Sequence, residues 1–320
     1  MKTETLELKF TNAIAFRNLC GVNHRNLAQI ELAFGVNIHA PGGKMIFEGE
    51  ASSISLAGKA TSRLFERAVS GINISEAEVL AVLSFSKIGM EKMQLDQISF
   101  NVGSKRITPR NPAQQTYMQM LKDQDNDLVF GSGPAGTGKT FLAIAYGASL
   151  LLSKQVERMV VARPALEAGE RLGFLPGDFE EKVDPYMMPI WDAFTQTLGA
   201  EKFARLKENG KIEIAPLAFM RGRTFTDSYI VLDEAQNATI KQMQMVLTRL
   251  GEGARMVVTG DPDQSDLPIT SVSGLSHAVK ILNRVEGIAI SKFSADDVVR
   301  HPLVARIVKA YDTDRKQQVI

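Results

Sequence analysis

The chain has 320 residues, of which 44% are hydrophobic and 23% are charged, and its formal net charge is +1. This composition is typical of a soluble globular protein, and the length predicts two domains that each bury a core. The near-neutral charge excludes a global basic excess, so any nucleic-acid surface would be a local patch.

No apolar run approaches the roughly 20 residues that cross a bilayer, and the first residues are polar rather than a secretion signal. The only cysteine, Cys20, excludes an intramolecular disulfide framework. We therefore expect a cytoplasmic protein with no membrane partner.

Residues 1–95 are predicted to form a small α/β domain. Alternating apolar residues from Leu6 to Phe10 indicate a strand, and two helical stretches follow it on either side of a break at Gly21. A turn at 41–43 indicates a hairpin, and a longer helix is predicted at about 52–69.

This order resembles a K-homology (KH) RNA-binding domain, in which a Gly-x-x-Gly loop between the two helices clamps the nucleic-acid backbone. Here Gly21 stands at the first glycine and His24 replaces the second. The candidate nucleic-acid contacts in this loop are Gly21, His24 and Arg25.

A basic, proline-containing linker is predicted at 96–111, and residues 112–320 are predicted to form a second α/β domain. Short apolar runs alternate there with helical stretches, which favours a parallel sheet covered by helices on both faces. The predicted strands lie at 128–130, 159–162, 229–232, 256–259 and 288–290.

A phosphate-binding loop (P-loop) follows the first of these strands. Its pattern, Gly-x-x-x-x-Gly-Lys-Thr, uses small residues so that successive backbone N–H groups turn towards phosphate oxygens. Lys139 is placed to reach the β- and γ-phosphates, and the Thr140 hydroxyl to hold Mg²⁺. The nucleotide-binding candidates here are Gly133, Pro134, Ala135, Gly136, Thr137, Gly138, Lys139 and Thr140.

Two further strand ends carry candidate catalytic groups. The strand at 229–232 ends in Asp233, which can accept Mg²⁺ or its water, and Glu234, which can deprotonate an attacking water. The alternative is an ordinary strand end with a solvated acidic pair. The strand at 256–259 is followed by Gln264, an uncharged donor and acceptor suited to sensing a γ-phosphate.

Asp233-Glu234-Ala235-Gln236 together with Gly260-Asp-x-x-Gln264 resembles the first motor domain of superfamily-one helicases, a RecA-like P-loop NTPase. Residues 107–310 more closely resemble the PhoH family of ATPases, and its form with an N-terminal KH-like domain (the YbeZ type) covers the whole chain. Besides the P-loop, the stretches that carry this resemblance are 163–170, 172–178, 215–224, 233–237 and 297–302.

The resemblance implies a cytoplasmic, Mg²⁺-dependent ATPase linked to RNA metabolism, with RNA helicase or remodelling activity. The alternative is a nucleotide-switched adaptor for an RNA-processing or ribosome-maturation partner. The resemblance also makes Gln114 a candidate for reading the adenine edge. Arg221, Arg223 and Arg300 match family arginines and are candidates for an arginine finger, while Arg163 is a candidate nucleic-acid contact.

Homo-oligomerisation is a further expectation. A superfamily-one helicase closes its ATP site with an arginine from a second motor domain, and only about 30 residues follow the strand near Ile290. We therefore expect a ring-like homo-oligomer, such as a hexamer, in which another subunit completes the site.

Overall fold

The computed structural model of the chain describes residues 4–87, 98–164, 179–268 and 271–299. Contacts within the chain divide it into two units, residues 1–95 with 109–112 and residues 96–108 with 113–320. Among the described residues, no helix has the length and apolar character that a membrane span requires.

Up to its third helix, the first unit has the element order that the sequence predicted. Its elements are β1 (Glu4–Lys9), α1 (Ala13–Cys20), α2 (Arg25–Phe34), β2 (Asn37–His39), β3 (Lys44–Gly49), α3 (Ala51–Val69) and α4 (Glu76–Lys87). The strands form an antiparallel sheet in the order β1-β3-β2. The helices bury a core on this sheet that includes Leu19, Ile30, Phe47 and Leu64.

A β-hairpin opens the second unit, where the sequence predicted only a linker. β4 (Phe100–Val102) pairs with β5 (Lys105–Ile107) in antiparallel register. Val102 is buried in the second unit's core, and the Phe100 ring packs edge-on against Tyr146 at 5.3 Å. The prediction of a linker over 96–111 was therefore wrong for residues 100–107. The short alternating apolar pattern of this hairpin was not recognised in the sequence, because exposed basic residues on β5 stand within it.

The remaining elements of the second unit alternate between helix and strand. They are α5 (Pro112–Lys122), β6 (Leu128–Ser132), α6 (Lys139–Leu152), β7 (Arg158–Arg163), α7 (Phe179–Leu198), α8 (Ala200–Glu208), β8 (Ile212–Pro216), β9 (Ser228–Leu232), α9 (Ile240–Leu247), β10 (Arg255–Gly260), α10 (Gly274–Leu282) and β11 (Ile288–Lys292).

Six of these strands form one parallel sheet in the order β11-β6-β10-β9-β7-β8. The five strands that the sequence predicted are confirmed as β6, β7, β9, β10 and β11. β8 lies at the edge of the sheet, and Glu213 and Pro216 interrupt its apolar run, so the pattern did not reveal it. This is the α/β fold of a P-loop NTPase.

Both faces of the parallel sheet are covered, because alternate side chains of each strand point to opposite faces. Val129 and Val257 pack on one face with α5, α6, α7 and α8. Phe130 and Val258 pack on the other face with α9 and α10. The carboxyl ends of the strands therefore open onto one edge of this layer, and the predicted P-loop and acidic residues lie at this edge.

Candidate active site

The P-loop connects β6 to α6 and takes backbone conformations that only glycine adopts readily. Gly133, Gly136 and Gly138 have φ values of +140°, +81° and +85°. A Cβ atom at Gly133 would lie 2.3 Å from the Phe293 carbonyl oxygen, so the first glycine is also required by packing. The loop delivers the N-terminus of α6, with its positive dipole end, to the carboxyl edge of the sheet.

Lys139 is folded back onto this loop. Its Nζ donates to the carbonyl oxygens of Gly133 and Pro134, both at 2.6 Å, and lies 3.3 Å from Thr137 Oγ1. Burial lowers the pKa of Lys139, and the nearby carboxylates of Asp261, Asp233 and Glu234 oppose that shift. The lysine is therefore a buried cation surrounded by oxygen atoms, a setting suited to a phosphate group.

Gln114 lies beneath the P-loop. Its side chain is buried, and Nε2 donates to the Thr137 carbonyl at 2.9 Å. A Cβ atom at Gly138 would lie 2.8 Å from the same nitrogen, so Gln114 packs directly against the loop. In this structure Gln114 braces the P-loop, and its role in reading a base stays a prediction.

Thr140 and Asp233 meet at the ends of α6 and β9. Thr140 Oγ1 donates to Asp233 Oδ1 at 2.6 Å, and the buried Thr259 hydroxyl donates to the same oxygen at 2.8 Å. A hydroxyl and a carboxylate on one side of a phosphate loop are the donors that Mg²⁺ takes together with substrate phosphates. These residues therefore fit Mg²⁺, although the described residues contain no cluster of three or more acidic, histidine or cysteine ligands.

Glu234 follows Asp233 in the left-handed backbone conformation, with φ +52° and ψ +37°. A non-glycine residue pays a strain of roughly 1 kcal/mol there, and such strain is found at functional sites. Glu234 Oε1 lies 3.1 Å from Arg163 Nη2, and Oε2 accepts from Gln236 Nε2 at 2.6 Å. The left-handed residue turns the chain so that this half-exposed carboxylate stands beside Asp233.

Gln236 links Glu234 to the end of β10. Its Nε2 donates to Glu234, and its Oε1 accepts from the Asp261 backbone N–H at 3.0 Å. Gln236 is 2% exposed, and a Cβ atom at Gly260 would lie 2.6 Å from its Oε1, so the glycine makes room for this contact. Gln264, in the loop that follows, is exposed, and its backbone N–H donates to the Asp261 carbonyl.

No role was predicted from the sequence for Thr259, Gln236 or Asp261, although all three are buried in this network. Gln236 and Asp261 belong to the two motifs that resemble superfamily-one helicases, so the sequence could have indicated them. Thr259 could have been found only from the pairing of β10 with β9, which places it next to Asp233.

Arg163 lies at the end of β7, next to β9, and not on a separate nucleic-acid surface. Its Nε is 3.2 Å from Asp233 Oδ2, and its Nη2 is 3.1 Å from Glu234 Oε1. The Arg163 side chain is 15% exposed and that of Asp233 is 5% exposed. The structure therefore brings this arginine into the carboxylate pair of the candidate site.

The other candidate arginines lie elsewhere. Arg223 makes a two-pronged ion pair with Glu213 of β8, at 2.5 and 2.7 Å, and covers the Phe225 ring. This bond lowers the pKa of Glu213 and raises that of Arg223. Arg221, two residues earlier, is exposed after a short 3₁₀ turn at Leu217–Met220.

Arg300 lies outside the described residues, whereas the segment just before it is described. The Phe293 N–H donates to the Ser132 carbonyl at 2.8 Å, and the Val299 N–H donates to the Gly136 carbonyl at 2.9 Å. The segment 293–299 is therefore bonded to the strand residue just before the P-loop and to Gly136 within the loop.

The three candidate nucleic-acid residues of the first unit lie in the turn between α1 and α2. His24 stands at the position of the second glycine, and although it is not a glycine it has the left-handed backbone conformation, with φ +57°. Gly21 has φ +72°, and a Cβ atom there would lie 2.8 Å from Asn26 Cγ. Asn26 is buried and donates to the carbonyls of Leu19 and Ile74, so Gly21 is needed for local packing.

This turn borders an open groove of about 1400 Å³ within the first unit. Exposed basic and apolar side chains line it together: Arg17 and Arg25, with Ile14 at 85% and Val22 at 83% exposure. Exposed apolar groups beside arginines can contact the bases and the backbone of a single strand.

The chain is similar in sequence to one protein-family model and to several known proteins. The family model PhoH, described as "PhoH-like protein", matches residues 106–312. A "PhoH-like protein" of Bacillus subtilis is 44% identical over 308 residues, which cover 95% of this chain and 96% of the relative.

Two other relatives match a shorter part of the chain. A "PhoH-like protein" of Synechocystis is 53% identical over 199 residues, covering 62% of this chain and 60% of the relative. "Protein PhoH" of Escherichia coli K12 is 45% identical over 207 residues, covering 64% of this chain and 58% of the relative.

Proposed function

The chain belongs to the PhoH family, and from that premise we propose that it is a Mg²⁺-dependent ATPase that acts on RNA. The observation that carries the hydrolase proposal is the 2.6 Å bond between Thr140 and Asp233, with Glu234 beside it. A phosphate cradle, a metal-binding pair and a base then stand at one edge of one sheet. These are the elements that P-loop enzymes use for phosphoryl transfer to water.

In the proposed reaction Lys139 exchanges its bonds to the loop carbonyls for bonds to phosphate oxygens. Thr140 and Asp233 would hold Mg²⁺, and the cation would supply positive charge that offsets the charge developing on the phosphoryl oxygens. Glu234 takes a proton from the attacking water, and Gln236 and Arg163 hold its carboxylate in position. Arg163 also holds Asp233, which keeps the base and the metal-binding group in fixed relation.

The proposed RNA contact is the groove beside the α1–α2 turn. Arg17 and Arg25 supply phosphate contacts, and Ile14 and Val22 supply an apolar surface for bases. RNA remodelling or unwinding would couple hydrolysis in the second unit to strand binding in the first. A nucleotide-stimulated change in affinity for single-stranded RNA is the minimum that this coupling requires.

We also propose that the ATP site is completed by another copy of the chain. Neighbouring strands lie about 4.8 Å apart, so β8, four positions from β6 in the sheet, is roughly 19 Å from the P-loop strand. Arg221 follows β8 and is exposed. Its position suits a contact with a neighbouring subunit's nucleotide better than one with its own.

A nucleotide-switched adaptor is the second candidate, and one observation favours it. Both carboxylate oxygens of Glu234 are engaged, by Arg163 and by Gln236, which would slow proton transfer until a partner rearranges them. The test is ATP turnover by the purified protein with and without Mg²⁺ and single-stranded RNA. RNA-stimulated turnover supports the first candidate. Slow turnover that RNA does not change, together with nucleotide-dependent capture of a protein, supports the adaptor.

A further inference from the structure

Arg163 contacts both acidic residues of the candidate site. Its guanidinium bridges Asp233 Oδ2 at 3.2 Å and Glu234 Oε1 at 3.1 Å. The positive charge of arginine is spread over a planar group that reaches both carboxylates, with a hydrogen bond to Glu234 and an ion pair with Asp233. This bridge fixes the orientation of Asp233, the proposed Mg²⁺ ligand, relative to Glu234, the proposed base.

The two oxygens of Asp233 are divided between the metal side and the arginine side. Oδ1 accepts from the hydroxyls of Thr140 and Thr259, which face the P-loop. Oδ2 faces Arg163. Arg163 can therefore stay in place while Oδ1 serves a cation, so the arginine and the metal do not compete for one oxygen atom.

The charge of Arg163 matters because carboxylates surround the phosphate site. Asp233, Glu234 and Asp261 all act on Lys139, and Asp233 and Asp261 are buried. A nucleotide brings several more negative charges to this place. Buried charges interact strongly because little solvent screens them, so each cation at the site affects how well a polyphosphate is accepted.

We propose that Arg163 is a permanent internal counter-ion for Asp233 and Glu234, and that it limits how strongly nucleotide affinity depends on Mg²⁺. This inference rests on the proposed nucleotide-binding function of the same site. Arg163 is here a positioning residue: it acts through the two carboxylates and offsets their repulsion of phosphate. Without it, Mg²⁺ alone would have to supply the missing positive charge.

The chain offers a matched control on the same strand. Arg158 stands at the first position of β7, five residues before Arg163, and its Nε donates to Ser228 Oγ at 3.1 Å. It therefore lies at the opposite end of the sheet from the strand ends that carry the site. Arg158→Ala removes an arginine from β7 without touching the phosphate edge.

The experiment is calorimetric titration of ATP into the full-length chain and its variants, once in EDTA and once in excess Mg²⁺. In EDTA, Arg163→Ala is expected to weaken ATP binding by about tenfold or more, because two carboxylates lose their partly buried counter-ion. In Mg²⁺ the loss is expected to be less than about threefold, since the metal supplies the charge. Arg163→Lys should recover most of the affinity in EDTA, and Arg158→Ala should match the wild type in both conditions.

Equal losses with and without Mg²⁺ would show that Arg163 only supports the fold, and would overturn the inference. So would unchanged affinity in Arg163→Ala, or an Arg163→Lys variant as weak as Arg163→Ala in EDTA. If Arg163→Ala does not fold, as judged by its thermal unfolding, Arg163→Gln and Arg163→Lys give the same comparison between a neutral and a charged polar side chain. A wild-type chain that binds no ATP in either condition would instead refute the proposed function, and with it this inference.

Discussion

Thr140 and Asp233 are 93 residues apart in sequence, yet the hydroxyl of Thr140 donates to Asp233 Oδ1 at 2.6 Å. The contact exists because the P-loop joins the end of β6 to the start of α6, while β9 lies two positions away from β6 in the same parallel sheet. β10 lies between them, and its Thr259 donates to the same oxygen. This hydrogen bond joins the P-loop to the acidic residues at the end of β9. Because both side chains are proposed to hold Mg²⁺, their role can be tested by varying the Mg²⁺ concentration.

The first prediction concerns this pair. Thr140→Ala removes the hydroxyl on the metal side, so the Mg²⁺ concentration for half-maximal ATP turnover should rise by at least about tenfold. Thr140→Ser keeps a hydroxyl at the same place and should stay close to the wild type. The measurement is ATPase rate against Mg²⁺ concentration. Identical curves for Thr140→Ala and wild type would remove Thr140 from the metal site.

The second prediction concerns the base. Glu234→Gln keeps the size and polarity of the side chain but cannot accept the proton, so turnover should fall by about 10²–10⁴-fold. ATP affinity should not fall, because Lys139, Thr140 and Asp233 remain. Glu208→Gln, on the exposed end of α8, is the matched control and should be fully active. Wild-type turnover in Glu234→Gln would make Glu234 a solvated bystander.

The third prediction concerns the packing of α6 on the sheet. A Cβ atom at Gly147 would lie 2.3 Å from Tyr229 Cδ1 and 2.5 Å from Met159 Cε. Gly147→Ala should therefore overpack this contact and lower the free energy of unfolding by about 1–3 kcal/mol. Denaturant unfolding monitored by circular dichroism gives the value. An unchanged midpoint would show that the tyrosine and methionine side chains move aside freely.

The fourth prediction concerns the groove of the first unit. Replacing Arg17 and Arg25 together by Ala should weaken binding of single-stranded RNA and lower its salt dependence by about 1.4 in slope, because two phosphate contacts are lost. Val22→Ala should weaken binding without changing the slope. Leu32→Ala is the control, since Leu32 is 88% exposed and does not line the groove.

The readout for the groove is fluorescence anisotropy of a labelled oligonucleotide over a range of salt concentrations. ATP affinity should stay the same in all three variants, because every phosphate motif lies in the second unit. RNA affinity that none of the substitutions changes would place the RNA site outside this groove.

The fifth prediction concerns assembly. If Arg221 acts on a neighbouring subunit, Arg221→Ala and Glu234→Gln spoil different sides of one junction. Each variant alone should be nearly inactive, and mixing them should restore part of the activity, because mixed assemblies contain some intact sites. Arg205→Ala, which removes an exposed arginine on α8, is the control and should be fully active without mixing.

Subunit exchange between the two variants is first confirmed by mass measurement of labelled chains. Full ATPase activity from a particle with the mass of one subunit would contradict this model. The site would then be completed within one chain, and the residues that follow Val299 would be the first place to look, since Val299 is bonded to the P-loop.

Several features of this protein follow from its sequence alone. The glycines of the P-loop, the helix after them and the apolar strand before Asp233 are local signals, since backbone conformation and side-chain alternation depend on neighbouring residues. The five predicted strands of the parallel sheet are present for the same reason. β8 was missed because an edge strand needs no continuous apolar run, and the hairpin at 100–107 because its basic residues masked three apolar ones.

Only the tertiary structure decided which side chains meet. Sequence could not distinguish Arg163, which bridges Asp233 and Glu234, from Arg223, which pairs with Glu213. The same holds for Gln114, whose amide supports the P-loop, and for Gln236, which joins Glu234 to β10. Partners of long polar side chains are set by strand order and register, because these bring residues far apart in the chain within about 3 Å. No local pattern of residues contains that information.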